Sequence, residues 1–210
     1  MQITSTTYID FLLATGLTRV RKVREARRHY EDGYAQGSDY YGPVREGIIA
    51  VHRDGADPAA LNQILAGALP QRREHYRACI DGHQHFMRNK GFVWTRRPKA
   101  EFWSYGDLQV KVNPELLLTI DGRPHRTKLY FKGEPLRQAR ADLLIELLKS
   151  PKDTGDIDVG ILDVRRARLF AQKRFSPDYQ VLLQSEALSF AAMWQAVGQQ
   201  GGRIELPATS

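Results

Sequence analysis

The chain has 210 residues, of which 42% are hydrophobic, 10% aromatic and 26% charged. That composition fills a core and excludes pervasive disorder and low-complexity architecture. Thirty-one Lys and Arg against 24 Asp and Glu give a net +7 at pH 7, a balance suited to nucleic acid, an acidic membrane surface or an acidic protein, without selecting among them. The single cysteine, Cys79, excludes an intramolecular disulfide framework and a cysteine-rich zinc site. The N-terminus has no basic start followed by an apolar run, and no stretch approaches the roughly 20 apolar residues of a spanning helix. The expectation is a cytoplasmic protein with no membrane partner.

The periodicity changes once along the chain. A first helical pattern runs over Thr6–Glu31, with Tyr8, Leu12, Val23, Ala26 and Tyr30 near one face and a break or bend at Gly16 and Thr18. Pro43 opens a second helix to about His52, since proline suits a first helical turn. Asp57 is placed to cap a short helix through Ala68, and Pro70 ends it. A longer helix follows over Gln71–Lys90, striped by Tyr76, Cys79, Ile80, His83 and Met87. From Gly91 the period shortens to two. Strands are predicted at Phe92–Trp94, Glu101–Tyr105, Leu108–Val112, Leu116–Ile120 and Thr127–Lys132, with Tyr105-Gly106-Asp107 and Asp121-Gly122 as turns. An amphipathic helix over Leu136–Lys149, built on Ala139, Leu143, Leu144, Leu147 and Leu148, comes next. Lys152–Gly155 reads as a loop, Ile157–Ile161 and Ala167–Ala171 as strands, Glu186–Val197 as a last helix, and 199–210 as a flexible tail.

These elements predict an α+β fold, an N-terminal helical portion packed on a mostly antiparallel sheet with flanking helices. With no long Pro/Ser linker, residues 1–210 read as one compact unit, with a mainly helical basic portion over 1–90 and a sheet-plus-helix portion over 91–198. Leu108, Val110, Val112, Leu129 and Phe131 would line the sheet's inner face beneath the Leu143–Leu148 helix. Glu115, Lys128, Tyr130 and Lys132 would occupy the solvent face.

Several chemistries lack their signatures. The chain has no GxxxxGK[ST] loop, no GxGxxG after a strand, no HExxH and no GxSxG, so nucleotide-driven motor work and dinucleotide redox chemistry are not expected. His75, His83 and His85 are separated by eight and two residues and do not share a helical face as metal ligands at i, i+4 would. His83 falls on the apolar stripe, where a hydrogen-bonded core histidine is the simpler reading. His125 follows the Asp-Gly hairpin and reads as a turn residue.

Charge is concentrated early: residues 1–100 carry 16 basic and 10 acidic side chains, residues 101–210 carry 15 and 14. The densest stretch is Arg19, Arg21, Lys22, Arg24, Arg27 and Arg28, six of ten residues. Such a helix either tracks a phosphate backbone by displacing counterions or is a solvated face partly neutralised by Glu25, Glu31 and Asp32. Arg72, Arg73 and Arg77, with Tyr30, Tyr34, Tyr40 and Tyr41, could widen the same surface.

The segment Val110–Lys132 carries the second feature, Asn113-Pro114-Glu115 ahead of one strand and Thr-Lys-Leu-Tyr-Phe-Lys on the next. Helix, three antiparallel strands, helix and strand, over about residues 71–172, resembles the core of PD-(D/E)XK nucleases, the restriction-endonuclease-like fold. The resemblance implies an acid on the second core strand, in the place of Glu115, and an acid-x-Lys on the third, with Lys132 for the lysine. In that family the carboxylates hold Mg²⁺ and the lysine stabilises charge. Two residues before Lys132 stands Tyr130, not an acid, so a degenerate site without cofactor is expected; an active Mg²⁺ site would need a displaced ligand such as Glu101, Asp107 or Asp121. The functional expectation is therefore a DNA- or RNA-interacting protein of nuclease-like ancestry, using Arg19, Arg21, Lys22, Arg24, Arg28, Lys128 and Lys132. The alternatives are a module that binds an acidic protein, or a Mg²⁺ nuclease with migrated ligands.

Overall fold

The computed structural model describes residues 1–31, 39–88, 90–149, 157–172 and 176–201. Tyr34, Asp32, the expected loop Lys152–Gly155 and the tail beyond residue 201 lie outside them. The fold is α+β, its strands mostly antiparallel. The chain divides into two compact units, each drawn from separate stretches of sequence. The helices of the N-terminal 90 residues are shared between them. No helix among the described residues is long and apolar enough to cross a membrane.

The smaller unit comprises Met1–Ser38, Phe102–Val112 and Pro177–Ser210. It begins with β1 (Gln2–Thr4) and α1 (Ser5–Leu13), whose N-cap Thr4 accepts a hydrogen bond from the Thr7 N–H. Ala14 is extended and Gly16 left-handed, which separates α1 from α2 (Leu17–Glu31) close to the expected break. β1 lies parallel to β4 (Leu108–Val112), which also pairs with β3 (Glu101–Tyr105). The last helix, α7 (Asp178–Gly201), starts two turns before the expected Glu186 and runs past Val197. Its first turns escape the periodicity because Val181 and Leu182 are exposed. An aromatic core ties the unit together: Tyr8 stacks on Trp103 at 5.9 Å, Phe11 meets Phe190 edge-on at 5.1 Å, and the Tyr8 hydroxyl donates to the Leu183 carbonyl. Val23 and Ala26 of the expected stripe are buried, whereas Tyr30 is exposed, its ring edge-on to Trp194.

The larger unit, Asp39–Glu101 and Asn113–Ser176, opens with α3 (Gly42–Asp54), which ends on Gly55 at φ +61°. Asp57 caps a 3₁₀ turn at Pro58–Leu61 by accepting from the Ala59 N–H, before α4 (Asn62–Ala66) and α5 (Pro70–Met87). The five-stranded sheet runs β2 (Phe92–Arg96), β5 (Leu116–Ile120), β6 (Arg123–Tyr130), β7 (Asp158–Asp163), β8 (Arg168–Ala171). Only β6 and β7 are parallel, and α6 (Gln138–Leu148) connects them. Asp121 and Gly122 both have positive φ, as a two-residue type I′ hairpin requires, and Ile120 pairs with Arg123 across it.

The expected single sheet is two sheets. Leu108, Val110 and Val112 are buried in the three-stranded one, while Leu129 and Phe131 belong to the five-stranded one. The strand preceding Leu116–Ile120 in the larger sheet is β2, not β4. Leu116, Leu118, Ile120, Leu129 and Leu162 pack with Val44, Ile48, Tyr76 and Ile80 of α3 and α5. α6 covers the opposite face at β7 and β8, and Leu148 at its C-terminus accepts a hydrogen bond from Arg126 of that face. The α6 stripe differs accordingly: Ala139 is exposed, while Asp142, Ile145 and Glu146 are buried with Leu144, Leu147 and Leu148. From Arg126 to Tyr130, β6 is buried on both faces. Lys128 and Tyr130 are 5% exposed and Glu115 3%, and Lys132 is half-buried, contrary to the exposed position expected of them.

Candidate functional site

The hairpin register decides what Glu115 meets. Leu116 pairs with Thr127, so the next position outward sets Glu115 opposite Lys128. The carboxylate oxygen Oε1 accepts from Lys128 Nζ at 2.6 Å, and Oε2 accepts from the Leu129 N–H at 2.8 Å. Lys128 Nζ also donates to the Asn113 carbonyl at 3.2 Å. Both charges are thus buried, paired and further hydrogen-bonded, as an ion pair removed from water must be. Glu115 also acts on Arg45 of α3: burial opposes its ionisation, but the hydrogen bond and charge of Asp39, then the charges of Glu115 and Glu46, raise its pKa.

Lys132 lies beyond the end of β6 and is not the lysine that meets Glu115. Burial lowers its pKa to about 8, with Glu134 opposing. Tyr130, two residues earlier, donates its hydroxyl to the Glu134 carbonyl at 2.9 Å, and burial, then Glu134 and Asp163, push its pKa up to about 12. If Lys128 rather than Lys132 is aligned with the nuclease lysine, the residue two before it is Arg126, a cation where an acid is wanted.

The displaced acids do not converge on Glu115. Glu101 lies 3.7 Å from Arg126, Asp121 accepts from the Gly91 N–H at the hairpin end of the sheet, and Asp107 belongs to the turn after β3 in the smaller unit. Among the described residues no group of three or more His, Cys, Asp and Glu is placed to hold a metal ion. A hard divalent cation needs several anionic oxygens. Here one carboxylate already faces an ammonium.

On α2 the six basic residues divide by role. Arg19 forms an ion pair with Glu186 and lies 4.1 Å over the Phe11 ring, and burial lowers its pKa. Arg27 donates to the Trp194 carbonyl and pairs with Glu31. Lys22 pairs with Glu25 at 2.7 Å. Arg21, Arg24 and Arg28 remain, at i, i+3 and i+7, a single stripe on the helix surface. Arg21 and Arg28 are exposed, Arg24 is half-buried, and none of the three has an acidic partner among the described residues. Arg21 donates to Thr18 on its own helix.

His83 is buried, and sequence alone missed its partner. His52 of α3 brings its Nε2 within 3.1 Å of His83 Nε2, the rings nearly perpendicular. Burial lowers the pKa of His52 to about 4 and, with the nearby His52 charge, that of His83 to about 3. Both imidazoles are neutral at pH 7, one donating and the other accepting. The α5 tyrosine and the α3 entry form an aromatic cluster rather than a free platform: Tyr41 stacks on Phe131 at 5.3 Å, and the Tyr76 hydroxyl donates to the Tyr40 carbonyl. No protein-family model matches the chain, and neither curated proteins nor solved structures provide a match.

Proposed function

We propose that the chain binds the phosphate backbone of nucleic acid through the Arg21, Arg24 and Arg28 stripe of α2, without cutting the strand. The observation that carries this reading is the division of the basic run. Arg19, Lys22 and Arg27 are held in ion pairs with the protein's own acids, and the other three form one stripe that makes no ion pair among the described residues. Guanidinium groups suit phosphate oxygens, and a row of them displaces condensed counterions in proportion to the phosphates contacted. What supports a nuclease-like ancestry is the order α5, β2, β5, β6, α6, β7 within the larger unit, β3 and β4 intervening in sequence between β2 and β5, with β6 and β7 parallel. What supports the absence of cleavage is Glu115, whose two oxygens are taken by Lys128 and the Leu129 N–H.

The test is binding to duplex DNA of arbitrary sequence over a range of salt. Log affinity should fall steeply with log salt, and Arg21→Ala, Arg24→Ala and Arg28→Ala together should flatten the slope by about two to three. No Mg²⁺- or Mn²⁺-dependent cleavage of DNA or RNA should accompany binding. A salt-independent interaction, or an unchanged triple variant, would favour an acidic protein as the partner. Metal-dependent cleavage abolished by Glu115→Ala would establish an active nuclease instead.

A further inference from the structure

A cleft of about 510 Å³ opens in the larger unit between the C-terminal turn of α5 and the hairpin end of the sheet. This volume is in the range of sites that hold small molecules. Phe86, Ile120 and Leu169 give it an apolar lining, and Lys90, Arg123 and His125 add polar groups. Arg123 and His125 alternate along β6 on the same face as Leu129, the face turned toward α5.

Arg123 and Lys90 retain hydrogen-bonding capacity. Arg123 is exposed and has no acidic partner among the described residues. Lys90 Nζ donates to the Phe86 carbonyl at 3.0 Å and lies 4.3 Å over the Phe86 ring, which leaves two of its three N–H donors unused by that bond. His125 has a buried Nδ1 with no protein partner, while its Nε2 stands 3.8 Å from the Asp158 carboxylate, beyond hydrogen-bonding distance. That nitrogen is closed off from solvent, so His125 contributes its ring to the lining rather than a free acceptor or donor. The acid in the lining, Asp121, is engaged by the Gly91 N–H. Arg168 also lines the cleft, but its guanidinium lies over the Phe170 ring.

We infer that this cleft binds an organic phosphate of nucleotide size, its phosphate on Arg123 and Lys90 and its ring on the apolar lining. A guanidinium forks onto two phosphate oxygens, and an ammonium supplies a point charge beside it. The His125 ring adds to the lining. The site uses no residue of α2 and is independent of nucleic-acid binding there.

The test is calorimetric titration of the full chain with AMP, adenosine and inorganic phosphate separately. AMP should saturate one site, with adenosine and phosphate each at least about tenfold weaker, because each lacks half of the contacts. Arg123→Ala and Lys90→Ala should each weaken AMP by about tenfold or more, as expected for loss of a charged hydrogen bond, while the urea midpoint stays unchanged. The triple α2 variant should bind AMP like the wild type. Absence of saturable AMP binding would overturn the inference. So would phosphate binding as tightly as AMP, unchanged affinity in both cleft variants, or loss of AMP binding in the α2 variant.

Discussion

Glu115→Ala isolates the physics of the buried ion pair. The substitution leaves the Lys128 ammonium, 5% exposed, with the Asn113 carbonyl as its remaining acceptor among the bonds described, and it strands the Leu129 N–H. Breaking one side of a buried pair costs about 3–5 kcal/mol. An orphaned buried donor accounts for about 1–3 kcal/mol of such a loss. Lys128→Met should cost a comparable amount, because the Glu115 carboxylate then keeps only the Leu129 N–H. The double variant Glu115→Leu with Lys128→Met removes both charges and leaves apolar side chains in a covered layer. Its cost should be below that of either single variant, since replacing a buried pair by hydrophobic residues is often neutral. Urea unfolding followed by circular dichroism measures all three, and amide hydrogen exchange at Leu129 reports the orphaned donor directly. DNA binding by the folded fraction should be unaffected. Single variants costing under about 1 kcal/mol, or a double variant costing the sum of the two, would refute the reasoning.

The histidine pair predicts acid sensitivity of a defined sign. Both imidazoles have lowered pKa values, about 4 for His52 and about 3 for His83, against 6.5 for an exposed histidine. Protons therefore bind the unfolded chain first, and their stabilising contribution, complete above about pH 6.5, falls by about 1.4 kcal/mol per histidine for each pH unit below it. Urea midpoints between pH 7.5 and 4.5 should show this slope, and the double variant His52→Leu, His83→Leu should flatten it; an equal slope would exclude the pair as its source. His83→Leu alone should be more destabilising than the double variant, because it leaves the His52 Nε2 unpaired. Burial pushes the Cys79 thiol up to about 12, so a thiol-specific chromogenic reagent should react with the native protein only at the rate of unfolding. Gly82→Ala should destabilise severely, since a Cβ there would overlap the Val164 carbonyl of the 3₁₀ turn against which α5 packs. Gly122→Ala, at φ +85° with open space around it, should cost about 1–2 kcal/mol from backbone conformation, read from the same urea midpoints.

Local signals carried much of the secondary structure. Pro43 marks the start of α3, Pro70, expected to end the short helix, is the first residue of α5, Asp57 caps its turn, and the Asp121-Gly122 hairpin has the two positive φ angles its residues favour. The meeting of Glu115 with Lys128 was also legible, because a two-residue turn fixes every opposed pair when one counts outward from it. The alignment of Lys132 with a nuclease lysine passed over that count. Other features depend on contacts between residues far apart in sequence. Alternation in Leu108–Val112 and Leu116–Ile120 is the same whether the strands share a sheet or not, so only tertiary pairing separated them. Whether Lys128 and Tyr130 faced water depended on the groups that close over them, Glu115 and Asn113 for the one and Glu134 for the other, which periodicity within β6 cannot express. His52 and His83, 31 residues apart, have no sequence pattern linking them. On α2 the sequence determined where the six cations are, and packing determined their use: Trp194, Glu186 and Phe11 come from elements outside α2, and they engage Arg27 and Arg19 while Arg21, Arg24 and Arg28 remain without acidic partners among the described residues.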